Sequence, residues 1–402
     1  MRALRFLPAL AGSVTVFLAG WMAKQLGGGR RAQLLASLAT LVCPLYLLSN
    51  TMFQTVSFNQ LAWVACCSIF IAILGSRRQL GWLLFGVALG IGLLTRQRSS
   101  LTSPVAWMAG LVAEVIVSPN LHWQMVNGWP FLEFLAESAA DDRVSAFRFV
   151  SLQCILMGPV SIPLFVGGFA FLFSNRRKPF RALGWTALSV FVLLLVSGGK
   201  PYYSAPLYPL LFAAGSVVID MKLSSWNRVW LRRGYIVALT VGHIWLLPIF
   251  LPVLPVEKLA ERQDDFPHED FKEMFGWEEM AQQVAHFYTE LPRDYQEGLR
   301  VLTDNYGSAG AIDLFGKRFR IPAAISGRNS YAFWEQHPEL DPLIVLGYNE
   351  RTLSRFYETV VHYGVITNSR GIVNKEMGEP ISFCTGIKIP AEELWQRLRH
   401  SD

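Results

Sequence analysis

The sequence has few charged residues, and its first two thirds contain very few acidic ones. Only 16% of the 402 residues are charged, whereas an ordinary soluble domain has about 25%. Residues 1–252 contain 20 Lys and Arg but only 6 Asp and Glu, whereas residues 253–402 contain 16 and 24. The low charge argues against a soluble first part, and the change of sign near residue 252 predicts two domains.

Cysteine is also scarce, with five residues in the whole chain. Four of them lie in apolar segments and Cys384 stands alone in the second part, so the sequence shows neither a disulfide framework nor a metal-binding spacing. No cofactor is therefore expected, although a divalent cation is compatible with the chemistry considered below. No nucleic-acid partner is expected either.

The first part of the chain contains eight long apolar runs. They lie at 6–23, 32–48, 57–74, 81–95, 149–173, 182–197, 202–219 and 234–251. Their lengths are near the 17–25 residues that a helix needs to cross a bilayer. We therefore predict a polytopic α-helical membrane domain of about eight spans at 1–252, followed by a soluble α/β domain at 253–402.

Basic residues predict the orientation of these spans. They collect in short loops at 24–31, 76–79, 174–181 and 220–233. Because cytoplasmic loops are enriched in Lys and Arg, these four loops are expected to share the cytoplasmic side. An even number of spans must then separate them, so a ninth apolar stretch at 101–117 is predicted to be re-entrant or interfacial. The domain at 253–402 is expected outside the inner membrane, and one further helix is expected before Met1.

The second part alternates helical and strand patterns. Apolar residues recur at three- and four-residue spacing over 277–291, which predicts an amphipathic helix. The segments "LRVLTDNYGSAGAIDLFG" and "PLIVLGYNERTLSRFY" each read as a strand, a turn and a helix. This alternation predicts an α/β layer with a parallel sheet.

The segment "GGKPYY" places a cation and two phenols at the predicted outer end of a span. Lys200, Tyr202 and Tyr203 have the chemistry to bind a lipid-linked phosphate, because an ammonium and phenolic hydroxyls donate hydrogen bonds to its oxygens. Arg96 and Arg98 also stand at an outer helix end, where the positive-inside rule disfavours them. The alternative for all five is anchoring in the headgroup region.

Aromatic and amide side chains in the predicted outer loop suit a sugar or acceptor, because a ring packs on the apolar face of a sugar while amides bond its hydroxyls. These residues are His122, Trp123, Gln124, Asn127 and Trp129. An amphipathic segment lying on the membrane would need the same aromatics. Asn59 is a further candidate, because a polar group near hydrocarbon is costly and often functional; an interhelical amide contact explains it equally well.

Several of these motifs together resemble bacterial family 39 glycosyltransferases, which include relatives of the protein O-mannosyltransferases and the aminoarabinose lipid A transferases. They are "LRFLPALAGSVTVFLAG", "SFNQLAW", "GLLTRQ", "PNLHWQ", "GGKPYYSAPLYPLLFAAGS", "NYGSAGAI" and "SGRNSY". The resemblance covers nearly the whole chain. It implies a polytopic enzyme that moves a sugar from a polyprenyl-phosphate donor to a lipid, glycan or protein acceptor on the outer side of the membrane.

The resemblance also suggests roles for single residues. It implies that Lys200, Tyr202 and Tyr203 approach the donor phosphate, and Arg96 stands where relatives usually have lysine. Asn59 stands where many relatives carry an aspartate, and a neutral amide cannot act as a base.

The catalytic base is not assigned. Relatives carry an acidic pair in an outer loop that would precede Met1, so Glu133, Asp141 and Asp142 are the substitutes considered. Two alternatives to an active enzyme stay open: a shortened relative that binds the lipid-linked sugar without transferring it, and a transporter or permease.

Overall fold

The computed structural model describes residues 2–76, 104–132, 144–174, 179–225, 229–251, 255–261, 269–334 and 338–399. The chain divides into two compact units, Met1–Val253 and Leu254–Asp402. Each unit is described by itself below.

The described regular structure of the first unit is helical. Its α-helices are α1 Arg2–Gln25, α2 Arg30–Val42, α3 Pro44–Thr51, α4 Thr55–Ser76, α5 Pro104–Val126, α6 Ala146–Met157, α7 Ile162–Phe173, α8 Arg181–Ser197, α9 Tyr208–Ser225, α10 Val229–Ile244 and α11 Leu247–Phe250. Two short 3₁₀ helices, Pro159–Ser161 and Pro201–Leu207, precede α7 and α9.

Three of the described helical segments, Arg5–Gln25, Thr55–Leu74 and Pro201–Ser224, are long and apolar enough to cross a membrane. The count rises to five if each of two bent helix pairs is one span. The chain is therefore a membrane protein with several candidate spans. The predicted number of about eight stays a prediction, and the apolar run at 81–95 lies outside the described residues.

Both bent pairs break where the sequence has proline. Helices α2 and α3 meet at 59° just before Pro44, and α6 meets the helix beginning at Pro159 at 92°. Proline has no backbone N–H to continue the preceding helix. Gly158 completes the second break with φ 82°, and an added Cβ there would lie 1.9 Å from Nε2 of His243. The sequence thus specifies this break at two consecutive positions.

Helix α5 differs from the prediction for this region. The predicted apolar stretch ended at residue 117 and a loop was expected after it, but the helix continues to Val126 and includes Pro119. The residues "NLHWQ" are therefore helical. Whether this helix is re-entrant or interfacial stays a prediction.

Glycines bring α7 and α9 into close contact at the centre of the unit. A Cβ added at Gly215 would lie 1.9 Å from the carbonyl oxygen of Leu164, and one added at Gly168 would lie 2.3 Å from that of Leu211. Small residues of this kind let helix backbones approach in membranes. The segment Pro201–Ser224, which includes most of α9, is the most buried of the three candidate spans, with 72% of its 18-residue apolar window buried.

The second unit combines short helices with one sheet. Its helices are α12 Val256–Glu261, α13 Glu269–Lys272, α14 Trp277–Glu290, α15 Arg293–Gln296, α16 Tyr306–Phe315, α17 Tyr331–Trp334, α18 Glu350–Leu353 and α19 Ala391–Leu398. Its strands are β1 Arg300–Thr303, β2 Ala324–Ser326, β3 Leu343–Leu346, β4 Tyr357–Val365 and β5 Pro380–Ile387. A 3₁₀ turn, Gly316–Phe319, follows α16.

The sheet has the order β2-β1-β3-β5-β4. Strands β1, β2 and β3 are parallel, as predicted, with Val301 beside both Ala324 and Ile344. The prediction was wrong for the other two strands, because β5 is antiparallel to β3 and to β4. The long loop 366–379 joins β4 to β5 without a crossover helix, so the chain returns in the opposite direction.

Both faces of the sheet are covered. Val301 and Ile344 pack with Met280, Val284 and Phe287 of α14 on one face. On the other face, the alternate strand residues Leu302, Leu343, Val345 and Cys384 pack with Leu394 and Trp395 of α19. Two-sided burial explains why the strand "LIVL" is continuously apolar.

Candidate functional site

The predicted donor-binding segment lies in a tight junction between helices α8 and α9. Gly198 ends α8 in a left-handed conformation with φ 70°. The N–H of Gly199 then donates to the carbonyl of Leu194 at 2.8 Å, and the N–H of Val144 donates to the carbonyl of Gly198 at 3.0 Å. Lys200 is extended at the start of the 3₁₀ helix Pro201–Leu207. Glycine adopts a positive φ at little cost, which explains why position 198, two residues before Lys200, is a glycine.

A buried glutamine stabilises this junction through hydrogen bonds. Nε2 of Gln153 donates to the carbonyl of Pro201 at 2.9 Å. Its Oε1 accepts from the hydroxyl of Ser204 at 2.9 Å and from the hydroxyl of Tyr208. Gln153, Ser204 and Tyr208 are all buried. We call these three residues with Pro201 the glutamine lock; its hydrogen bonds hold the lysine segment in one conformation.

The two tyrosine side chains of the segment are exposed at the surface. Tyr202 and Tyr203 have exposed fractions of 40% and 51%, and their ring centroids are 4.8 Å apart at an angle of 70°. Lys200 is partly buried beside them, and its carbonyl accepts from the N–H of Tyr203 at 3.1 Å. The segment thus groups one lysine and two tyrosines within four consecutive positions.

Several described helices surround the 3₁₀ helix that carries these groups. It contacts α4, α6, α8 and α9. The hydroxyl of Tyr46 in α3 also donates to the carbonyl of Ala205 at 3.3 Å. The candidate site therefore rests on a converging set of helices rather than on a free loop.

Arg96 and Arg98 lie outside the described residues, as do Glu133, Asp141 and Asp142. Their predicted meeting with Lys200 stays a prediction. Among the residues that the structure describes, no group of three or more His, Cys, Asp and Glu is arranged to hold a metal ion.

The amides predicted to bind a sugar mostly organise the end of α5. Nδ2 of Asn127 donates to the carbonyl of Trp123 at 2.8 Å, and Oε1 of Gln124 accepts from the N–H of Phe131 at 3.1 Å. The N–H of Trp129, whose φ is 63°, donates to the carbonyl of Gln124 at 2.7 Å. These bonds engage Nδ2 of Asn127 and Oε1 of Gln124, and binding of a sugar by the two side chains stays a prediction.

Three aromatic rings of the same segment remain at the surface. His122 is exposed, and Trp123 and Trp129 are 40% and 39% exposed. Such rings can stack on a sugar or lie in the membrane interface, so both interpretations of this segment stay open.

At the start of α4, the predicted Asn59 is exposed whereas its neighbour Gln60 is buried. Oε1 of Gln60 accepts from the hydroxyl of Ser49 at 3.0 Å, and the hydroxyl of Ser57 donates to the carbonyl of Ser49 at 2.7 Å. Sequence reasoning missed both inward glutamines, Gln60 and Gln153. The available signal was an amide within a long apolar run.

The two units, one with broken and continuous helices and one with a sheet, have a fold similar to that of solved C-type glycosyltransferases. The structure is similar to that of ArnT from Cupriavidus metallidurans in the apo state, with a TM-score of 0.52 and 14% identity over 94% of this chain and 83% of that chain. It is similar, with a TM-score of 0.53 and 15% identity over the same shares, to ArnT bound to undecaprenyl phosphate.

The sequence supports the same relationship. Residues 1–99 match the model of the family described as dolichyl-phosphate-mannose-protein mannosyltransferase. No curated protein sequence matches the chain. The family model over the first quarter of the chain and the similar fold over 94% of it both agree with the resemblance predicted from the sequence.

Proposed function

We propose that this protein is an integral-membrane glycosyltransferase that takes a sugar from a polyprenyl-phosphate donor. The acceptor is a lipid, glycan or protein of the cell envelope. Transfer takes place on the outer side of the inner membrane, where residues 253–402 form an extracytoplasmic domain. The similar ArnT structure was solved with undecaprenyl phosphate bound, which supports a lipid carrier of this class.

The glutamine lock is the observation that carries the proposal. Three buried polar side chains in an apolar bundle are costly unless they are hydrogen-bonded to each other. Here their bonds converge on Pro201 and Ser204, on either side of the two exposed tyrosines. A snorkelling lysine would need no such support, whereas a phosphate site requires a fixed donor geometry.

The chemistry assigned to the segment is stabilisation of the leaving group. An acceptor hydroxyl or amine attacks the anomeric carbon, the bond from that carbon to the phosphate oxygen breaks, and the phosphate leaves with the electron pair. Lys200 neutralises the charge that develops on the phosphate, and Tyr202 and Tyr203 donate hydrogen bonds to its oxygens. In the proposal, Arg96 and Arg98 add to this positive charge.

The acceptor loses one proton during the transfer, and a carboxylate is the expected base. None of the described residues is assigned this role. Trp123, Trp129 and His122 are proposed to contact the sugar or acceptor through their exposed rings, and Asn59 through its exposed amide.

The proposal is tested by replacing Lys200. We expect Lys200→Ala to weaken binding of undecaprenyl phosphate to the purified protein by more than tenfold, because a charge-assisted hydrogen bond is lost. Lys200→Arg keeps the charge and is expected to bind nearly as well as the original protein. Binding is measured by titration in detergent micelles.

Lys24→Ala is the matched control, because Lys24 also lies at a helix end, with its ammonium 5.0 Å from the ring of Trp21. It should leave the affinity unchanged. If Lys200→Ala binds undecaprenyl phosphate as the original protein does, Lys200 is a membrane anchor and the proposed donor site is wrong.

A further inference from the structure

A cleft of about 390 Å³ lies at the other end of α9 from the lysine segment. It is formed by the start of α2, the end of α9 and the start of α10. Arg31, Asp220 and Arg233 supply its charged groups, and Leu34, Leu223 and Ile236 are among its apolar ones. We call it the basic cleft.

The basic cleft is distinct from the proposed donor site. Helix α9 has 18 residues, so the two sites are separated by about 27 Å along its axis at 1.5 Å per residue. Lys200 precedes the first turn of α9, whereas Asp220 and Leu223 lie in its last two turns.

The cleft lies where two candidate spans end, α1 and Pro201–Ser224. A Cβ added at Gly29, shortly after α1, would lie 3.9 Å from Oδ2 of Asp220 near the end of α9. A helix that crosses a bilayer reaches the headgroup region at such an end. Further basic residues, Lys24, Arg30 and Lys222, lie at the same helix ends. Such a belt attracts anionic lipids without selecting a place for one.

The cleft provides one defined binding position among these basic residues. Two arginines against one aspartate give its lining a formal charge of +1, and both arginine side chains are exposed. Arginine donates bidentate hydrogen bonds to phosphate oxygens. Tyr235 also lines the cleft, but its hydroxyl donates to the carbonyl of Val160 at 3.0 Å. The arginines are therefore the groups suited to hold an anion.

Apolar surface continues from the arginines along α2 and α10. Leu34 is 70% exposed and Ile236 is 39% exposed, and both line the cleft. An inorganic anion would make no use of these side chains, whereas an acyl chain would cover them. The combination of arginines and exposed aliphatic residues thus fits an amphiphile.

We propose that the basic cleft binds one anionic diacyl phospholipid of the surrounding bilayer. The phosphate lies between Arg31 and Arg233, and the acyl chains follow Leu34 and Ile236. This site goes beyond the proposed transfer reaction and does not depend on it.

The test counts lipids bound to the purified protein by native mass spectrometry during titration with phosphatidylglycerol, phosphatidylcholine or undecaprenyl phosphate. We expect one phosphatidylglycerol to bind more tightly than the rest, with no such site for phosphatidylcholine. Arg31→Ala and Arg233→Ala should each weaken this site about fivefold, as expected for loss of one basic group near an anionic headgroup. Leu223→Trp, which fills the cleft and keeps its charge, should abolish the site.

Arg30→Ala is the matched control, because Arg30 neighbours Arg31 in α2 but does not line the cleft. An equal loss in Arg30→Ala and Arg31→Ala would overturn the proposal in favour of a diffuse basic belt. Equal binding of the two phospholipids would overturn the role of the arginines. Binding of undecaprenyl phosphate in place of phosphatidylglycerol would overturn the identity of the lipid.

Discussion

Two buried polar sites, one in each unit, differ in how their side chains are hydrogen-bonded. In the membrane unit, both ends of the buried Gln153 amide are hydrogen-bonded, and its oxygen accepts two bonds. In the second unit, Oε2 of Glu376 and Oε2 of Glu379 are buried without a hydrogen-bond partner. The first arrangement fixes one backbone conformation, whereas the second keeps carboxylates close together. Burial alone therefore does not tell whether a polar group stabilises the fold.

The carboxylates of the second unit collect beside the ends of two parallel strands. Asp304 follows β1, and a Cβ added at Gly347 after β3 would lie 2.7 Å from that of Asp304 and 3.2 Å from Oε2 of Glu379. Burial raises the pKa of Glu376 to about 7, with further contributions from Glu273 and Glu379. Burial also raises the pKa of Glu379 to about 7, helped by Asp304 and Glu273.

The largest effect is expected from breaking the glutamine lock. Gln153→Leu removes the acceptor of two buried hydroxyls and the donor to Pro201, so we expect the free energy of unfolding to fall by about 3 kcal/mol. Binding of undecaprenyl phosphate should fall as well, because the backbone before the tyrosines loses its support. Unfolding is followed by SDS titration in mixed micelles.

Gln124→Leu makes the same chemical change at a more exposed position on α5. It removes the 3.1 Å bond to the N–H of Phe131, which water can replace, and should cost less than 1 kcal/mol. If the two variants lose similar stability, the glutamine lock has no special role.

The second prediction concerns the pH dependence of stability near the buried carboxylates Glu376 and Glu379. Because the folded-state pKa values of Glu376 and Glu379 lie above the ordinary 4.5, the folded unit binds more protons than the unfolded chain. Their stabilising contribution is complete below pH 4.5 and is lost as the pH rises through 7. Between pH 5.5 and 8 we expect local stability to fall by about 1–2 kcal/mol, allowing for solvent screening.

Hydrogen exchange of the segment 366–379, corrected for the intrinsic effect of pH, measures this loss in the full chain. Glu376→Gln should remove a large part of the pH dependence, since the amide does not titrate. Glu393→Gln is the control, because Glu393 is exposed and its carboxylate contacts Arg397 at 2.6 Å. Equal pH dependence in all three proteins would contradict the role of the cluster.

Sequence patterns predicted most of the architecture because hydrophobic periodicity is a local property. The predicted apolar run 57–74 corresponds to helix Thr55–Ser76, and the predicted amphipathic helix 277–291 corresponds to Trp277–Glu290. The antiparallel β4–β5 pair was missed, because strand direction depends on how a connection returns rather than on the strand residues. The break at Gly158 was also missed. Gly158 and Pro159 are visible in the sequence, but the 92° bend between the two helices depends on how these helices pack.

The candidate site was predictable only in part. The sequence order alone placed Lys200, Tyr202 and Tyr203 together, and the structure shows what holds them. Gln153 lies 48 residues before Pro201, and a contact over that separation leaves no periodic signal. The hydrogen bonds of Gln124 and Asn127 at the end of α5 were not predicted either, because composition does not reveal which amides a helix end uses.

The smallest expected effect compares a helix cap in each unit. Oδ1 of Asn305 accepts from the N–H of Ser308 at 2.8 Å at the start of α16, and the hydroxyl of Ser145 accepts from the N–H of Arg148 at 3.3 Å at the start of α6. Asn305→Ala should cost about 1 kcal/mol, which lowers the hydrogen-exchange protection of the first turn of α16 about fivefold. Ser145→Ala should have a smaller effect on α6, since its bond is longer and solvent-exposed. A larger loss at Ser145 would show that the membrane unit depends on local caps as strongly as the second unit, whose short helices cannot draw on long interhelical contacts.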